Sequence, residues 1–88
     1  MTIKYDTLIR MIEKYNDERR LQALEKIGNN NEKANGHGHT AYAISNFIEQ
    51  IAAENEIRIA RYEKEEDILQ SITFEWVTIK YTQIHITY

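Results

Sequence analysis

Every glycine of this 88-residue chain lies between residues 28 and 38, and the chain contains no proline. Because Gly and Pro are the residues that most often interrupt helices and strands, the sequence has one strong internal break. The segment 28–39 also holds four asparagines and almost no apolar side chains. We therefore predict that it is an exposed, flexible loop between two long ordered stretches.

The stretch before this loop is predicted to be helical from about residue 3 to residue 27. Its apolar residues recur at spacings of three and four in two stripes, Leu8, Ile12 and Tyr15, then Leu21, Leu24 and Ile27. The stripes do not share one helix face, and Asn16 followed by Asp17 is able to cap a second segment. One helix with a rotating buried face and two helices with a break both remain open.

After the loop, Thr40 is a natural N-cap, and we predict a long helix from about 40 to 70. Every seventh residue forms a heptad line, with a companion line beside it: Ala41, Ile48, Asn55, Tyr62 and Leu69, then Ile44 and Ile51. In the alternative interpretation the helix stops near Glu54, and residues 56–63 form a short strand. We favour the helix because no turn residue interrupts the stretch.

Residues 71–88 carry the clearest strand pattern of the chain. Apolar side chains alternate in three sets whose parity changes twice, namely Ile72, Phe74 and Trp76, then Val77, Ile79 and Tyr81, then Ile84, Ile86 and Tyr88. Each change of parity marks a bulge, a turn or a change of burial. A hairpin turning near residues 80–83 and one long bent strand are both compatible with this pattern.

Length arithmetic points to assembly of several copies. A compact domain of 88 residues is about 30 Å across, whereas a helix over residues 40–70 would be about 45 Å long and would overhang it. An unpaired aromatic strand is also prone to associate with another strand. We therefore predict a homodimer or a higher even oligomer, with Asn55 either setting the helix register or facing solvent.

Composition limits the classes of function. The net charge of −3 disfavours a nucleic-acid binder held by bulk charge, and the absence of cysteine excludes disulfides, thiol catalysis and cysteine-bound zinc. No apolar run reaches the roughly 20 residues of a membrane span. Fourteen isoleucines against one valine point to an AT-rich genome, and we expect a cytoplasmic protein of a low-GC bacterium or its phage.

Candidate chemical sites are sparse. His37 and His39 are two metal-ligating side chains, but a closed zinc site needs about four ligands, so we interpret them as solvated loop residues. The acidic run over residues 63–67 lacks the spacing of a calcium loop. A small basic cluster is the candidate phosphate contact and comprises Arg58, Arg61 and Lys64. We predict no enzyme activity, no metal and no cofactor.

The aromatic residues of the last segment are the remaining candidates. Trp and Tyr often anchor protein interfaces, although the same residues would equally serve to cover the helices as core. The predicted interface comprises Phe74, Trp76, Tyr81, Tyr88, Ile48, Ile51, Asn55 and Tyr62.

These observations predict a single α+β domain with a helical hairpin, a long second helix and a C-terminal strand or hairpin. We predict a self-associating, non-catalytic protein-interaction module that binds a second protein, for example as a phage inhibitor of a host protein. The alternatives are a nucleic-acid-associated regulator and a small-ligand-binding protein with a pocket between subunits that involves His37, His39 or His85.

Overall fold

The computed structural model describes residues 2–60 and 69–87. Two helices are followed by short antiparallel strands, which confirms the predicted α+β class. In chain order the elements are α1 (Thr2–Ile27), α2 (Asn31–Glu54), β1 (Ile59–Ala60), β2 (Leu69–Phe74), β3 (Val77–Thr82) and β4 (His85–Ile86). Neither helix in these ranges combines the length and the apolarity needed to cross a membrane.

The first helix is continuous through Asn16 and Asp17, so the two-helix alternative does not hold. The side-chain amide of Asn16 binds the backbone of Ile84 instead of capping a helix: Nδ2 donates to the Ile84 carbonyl at 3.2 Å, and the Ile84 N–H donates to Oδ1 at 2.9 Å. Asn16 thus satisfies both backbone groups of Ile84, which lies between β3 and β4, and it attaches this part of the chain to α1.

The connection between the helices is shorter than predicted, since α2 begins at Asn31 and only residues 28–30 link the two helices. Asn29 adopts a left-handed conformation with φ 59°, and the N–H of Asn30 donates to the carbonyl of Glu25 at 2.8 Å. These are the features of a Schellman motif, in which one left-handed residue satisfies the last carbonyls of a helix. The predicted loop over 28–39 is therefore corrected to a tight turn followed by a helix.

Close contact between the helices explains why residues 31–39 are helical despite two glycines. Ala34 is buried, and a Cβ atom placed on Gly38 would lie 2.7 Å from Nε2 of Gln22 on α1. Small residues recur along the buried face of α2, at Ala34, Ala41, Ser45 and Ala52, with Ile48 between them. Tertiary packing along this face outweighs the weak helix propensity of Gly and Asn.

The second helix ends at Glu54, not near residue 70. Glu56 is left-handed with φ 55°, and the N–H of Ile57 donates to the carbonyl of Ala52 at 2.9 Å, which is a second Schellman motif. Because α1 and α2 run antiparallel, the start of α1 lies near the end of α2, and a longer α2 would lose its packing partner. The alternative interpretation, a helix ending near Glu54 and then a strand, is confirmed as far as Ala60; residues 61–68 lie outside the described ranges.

The four strands form two antiparallel pairs. In the first pair, a two-residue turn at Glu75 and Trp76 joins β2 to β3, and Phe74 lies opposite Val77. In the second pair, β1 lies beside β4. The turn therefore lies at residues 75–76 and not at residues 80–83. The chain from Val77 to Ile86 runs as β3 and β4, which are interrupted by residues 83 and 84.

The core lies between the two helices and the end of the strand region. It contains Leu8, Ile12, Tyr15, Ala41, Ile48, Ala52 and Ile84. The helices are similar in length, about 39 Å for α1 and about 36 Å for α2 at 1.5 Å per residue, so neither overhangs the other greatly. The predicted assembly loses the support of a 45 Å helix, and any argument for self-association has to come from the surface.

Candidate interaction surface at the hairpin turn

The β2–β3 turn presents three apolar side chains to solvent. Trp76 is 93% exposed, Phe74 is 61% exposed and Val77 is 47% exposed. We call these three residues the aromatic tip. Trp76 is the only tryptophan of the chain, and among the described residues no other large hydrophobic side chain is as exposed.

The local sequence explains why the hairpin forms here. Strand-favouring residues lie on both sides of the turn, and the Thr73 and Thr78 hydroxyls on opposite strands are 2.9 Å apart. Glu75, the first turn residue, has φ 57°. Two-residue hairpin turns need a positive φ at this position and normally place Gly, Asn or Asp there. Glu75 has a Cβ atom, so this left-handed conformation lowers the stability of the turn.

One face of the hairpin is apolar from the turn to Tyr81, where Gln70 is the opposite residue. The register places Ile72, Phe74, Val77, Ile79 and Tyr81 on the same side, since directly opposed residues share a face. Burial decreases steadily toward the turn: Tyr81 is buried, the two isoleucines are half-buried, and the aromatic tip is exposed. The hairpin is therefore anchored at one end and projects an uncovered apolar end.

A polar contact fixes the anchored end to α1, beside the hydrogen bonds between Asn16 and Ile84. Nη2 of Arg19 donates to the Thr82 hydroxyl at 3.2 Å. Only two charged side chains belong to the hairpin, Glu75 and Lys80, so residues 69–82 are neutral within a chain of net charge −3. The negative charge, Glu75, lies in the turn between Phe74 and Trp76, and Lys80 lies nearer the anchored end.

The predicted interface residues differ in their exposure in the structure. Phe74 and Trp76 are exposed, whereas Ile48 and Tyr81 are buried within the single chain and are not available to a partner. Ile51 is half-buried and packs against the core. The remaining three are Asn55, which caps α2 by donating from Nδ2 to the Ile51 carbonyl at 2.8 Å, and Tyr62 and Tyr88, which lie outside the described residues.

The candidate phosphate contact is not assembled by the described residues. Arg58 is exposed between α2 and β1, while Arg61 and Lys64 lie outside the described ranges. Sequence reasoning also missed two exposed aromatic side chains on α2, Tyr42 and Phe47. These two residues lie on neither heptad line, so the sequence pattern contains no signal for them.

His37 lies on α2 and contacts a carboxylate on α1. Its Nδ1 is 2.6 Å from Oε2 of Glu18, and Nζ of Lys14 is 3.1 Å from Oε1 of the same residue. Burial by itself raises the pKa of the Glu18 carboxyl, but hydrogen bonds and positive charge from His37 and Lys14 outweigh it, so the net pKa lies below its ordinary value. This cluster joins the two helices, and it was not found from the sequence because Glu18 is one of many glutamates.

The other two histidines do not extend this cluster into a metal site. His39 is an exposed residue of α2, and His85 lies in β4 opposite Ala60. Within residues 2–60 and 69–87, no group of three or more His, Asp and Glu side chains is arranged to hold a metal ion.

Comparisons with known proteins leave the surface chemistry as the basis for a functional argument. No family model matches the chain, and neither the curated proteins nor the solved structures include a significant match to it.

Proposed function

We propose that this chain is a non-catalytic, self-associating protein-interaction module whose contact surface is the aromatic tip. The observation that carries the proposal is the exposure of Trp76, with Phe74 and Val77 beside it, on a hairpin whose other end is hydrogen-bonded to α1. Tryptophan is among the residues most enriched where a few side chains supply most of the binding energy.

The size of the patch supports a binding role. An aromatic side chain contributes roughly 150–250 Å² when fully exposed, so Trp76 and Phe74 together present about 300 Å² of largely apolar surface. That is comparable to the largest apolar patch on a typical monomer, and such patches are often functional. Burying it contributes about 7 kcal/mol at 25 cal/mol per Å², before the cost of association is subtracted.

The location of the patch also favours binding over folding. The aromatic tip is at the end of the hairpin that is far from the Asn16 and Arg19 contacts, so these side chains contribute little to the core. A side chain that stabilises neither the core nor the helix pair and remains exposed is well placed to contact another molecule.

Trp76→Ser tests the proposal, with Phe47→Ser on α2 as the matched control because it also removes one exposed aromatic side chain. Molar mass is measured by light scattering over a range of concentrations. We expect the wild type to exceed 10.5 kDa as concentration rises, and Trp76→Ser to weaken association at least 30-fold, which corresponds to about 2 kcal/mol.

The sole tryptophan gives an independent measurement. Burial of Trp76 on association would shift the fluorescence emission of the wild type to shorter wavelength as concentration rises, and Phe47→Ser would leave this shift unchanged. A mass of 10.5 kDa and an unshifted emission at every concentration would remove self-association from the proposal. Equal loss in both variants would move the contact surface away from the aromatic tip.

A further inference from the structure

A cavity of about 280 Å³ lies between α1 and α2. It forms where α2 carries Gly38 and Ala41, which have no side chain or only a methyl group and so leave space between the helices. The buried ring of Tyr15 on α1 lines it, and the exposed ring of Tyr42 on α2 lies at its rim. Small-molecule sites have volumes of about 300–1,000 Å³, so this cavity suits a ligand at the small end of that range.

The charge of the cavity comes from Arg19. Of the lining residues, all of which belong to the described helices, it alone carries a permanent charge. Its Nη2 donates to the Thr82 hydroxyl at 3.2 Å, but its Nε is buried and has no hydrogen-bond partner. None of the ion pairs within the described ranges involves it; their cations are Lys14, Arg20 and His37. Because removing a charge from water is costly unless an opposite charge compensates it, the cavity is electrostatically suited to an anion.

Two side-chain amides add neutral hydrogen-bond donors to the cavity wall. Gln22 on α1 and Asn35 on α2 both line it. A Cβ atom placed on Gly38 would lie 2.7 Å from Nε2 of Gln22, so this amide lies directly against the glycine. The lining residues from the two described helices include no Asp or Glu, although the net charge of the chain is −3. The wall therefore offers donors to an anion without a carboxylate that would repel it.

We infer that this cavity binds the carboxylate of a small organic acid, with Arg19 as the charged binding residue and Gln22 and Asn35 as neutral donors. One guanidinium balances the single charge of a carboxylate, whereas a phosphate group carries about −1.5 to −2 near pH 7. The planar guanidinium also matches the geometry of a carboxylate, and the tyrosine rings give the organic part an apolar contact. The inference goes beyond the proposed function, because the cavity lies between the helices of one chain and not at the aromatic tip.

Benzoate is the probe for this site, and benzamide is its neutral control of nearly the same shape. Binding to the full chain is followed by two-dimensional amide NMR, in which Gly38 reports on the cavity and Gly36, which does not line it, is the internal reference. We expect benzoate to shift the Gly38 resonance saturably and to leave Gly36 unchanged. Benzamide should bind about tenfold more weakly, since it lacks the charge that strengthens a hydrogen bond to a guanidinium.

Arg19→Gln removes the positive charge from the cavity. Arg20→Gln is the matched control, because Arg20 is an exposed neighbour that pairs with Asp17 and does not line the cavity. We expect Arg19→Gln to weaken benzoate binding about tenfold or more and Arg20→Gln to leave it unchanged. Thr82→Val is the second control, since it breaks the same contact between α1 and the hairpin but keeps the guanidinium, and it should retain binding. Melting temperatures show whether each variant is folded.

Each result supports or overturns the site. Saturable benzoate binding that depends on Arg19 and survives both Arg20→Gln and Thr82→Val supports it. A wild type that shows no saturation, or that binds benzamide equally well, overturns it even if Arg19→Gln does not fold. Equal loss in Arg19→Gln and Thr82→Val would assign the effect to the hairpin contact and overturn the binding role of Arg19.

Two further titrations define the ligand class and separate this inference from the proposed function. Inorganic phosphate that binds more tightly than benzoate, and still depends on Arg19, would overturn the carboxylate assignment. Trp76→Ser should bind benzoate as the wild type does. A chain that binds benzoate but stays monomeric would refute self-association and leave this site standing, and a self-associating chain that ignores benzoate would do the reverse.

Discussion

Replacing Gly36 by alanine tests whether the segment after the turn is a helix or a flexible loop. Gly36 lies in α2, its φ is negative, and a Cβ atom built on it has no other atom within 4 Å. Alanine is favoured over glycine in a helix interior by about 1 kcal/mol, because glycine loses more backbone entropy on folding. The substitution adds no steric conflict to offset this gain.

We expect Gly36→Ala to raise the free energy of unfolding by about 1 kcal/mol. For a domain of this size that corresponds to a rise of about 4–8 °C in melting temperature. The measurement is urea unfolding followed by far-UV circular dichroism, and the slope of the transition should stay unchanged because the same surface is exposed on unfolding.

Gly38→Ala is the graded comparison. Its Cβ would lie 2.7 Å from Nε2 and 3.2 Å from Cδ of Gln22, so the Gln22 side chain has to move. That side chain is long and flexible, and we expect a gain smaller than the gain at Gly36. If residues 31–39 were a mobile loop, neither alanine would stabilise the protein appreciably. A Gly36→Ala variant with unchanged or lower stability would refute the reasoning about this segment.

Three further substitutions test the contacts that shape the rest of the fold. Glu56→Gly should stabilise the protein by about 1 kcal/mol in thermal unfolding, since a left-handed conformation costs a residue with a Cβ about 1–2 kcal/mol; a loss would contradict the second Schellman motif. Asn16→Ala should destabilise the protein by about 2 kcal/mol, because it leaves the N–H and C=O of buried Ile84 without hydrogen-bond partners. Asp17→Ala, which breaks an exposed ion pair, should change stability by under 1 kcal/mol. Because the pKa of Glu18 is lower in the folded state, the carboxylate stabilises the fold fully above the unfolded pKa of about 4.3, and this stabilisation is lost as pH falls through the folded pKa. Glu18→Gln should therefore flatten the acid limb of a profile of unfolding free energy from pH 3 to pH 7. An acid limb identical to that of the wild type would refute the role of this carboxylate.

The sequence predicts the class of fold, but two of its boundaries depend on contacts between distant residues. Gly36 and Gly38 are typical loop residues in isolation, and only the packing of Ala34 and Gly38 against α1 makes the segment helical. The end of α2 carries no glycine to mark it. Glu56 takes the left-handed position because α1 offers no further surface for α2 to pack on, and Ile57 and Ile59 instead pack against the core.

The sequence pattern contains the signal for the hairpin turn, but the turn lies at residues 75–76 and not at the predicted residues 80–83. The parity of apolar residues changes between Trp76 and Val77, and a two-residue turn produces that change by placing Phe74 and Val77 opposite each other. The turn is hard to recognise in the sequence because position 75 is Glu and not Gly, Asn or Asp. Which aromatic residues are exposed follows directly from the position of the turn, since Tyr81 lies near the anchored end and Trp76 lies at the free one.

The strained turn and the exposed tryptophan are best explained together. A left-handed Glu75 lowers the stability of the hairpin, and Trp76 contributes little packing that offsets this loss, since 93% of it is exposed. A hairpin with no role beyond folding would gain stability from Gly at position 75 and solubility from a polar residue at position 76. The residues that are present instead hold a large apolar side chain away from the core. The proposed self-association would remove this conflict between local stability and exposed surface, because a partner that covers the aromatic tip buries the side chain that folding leaves in water.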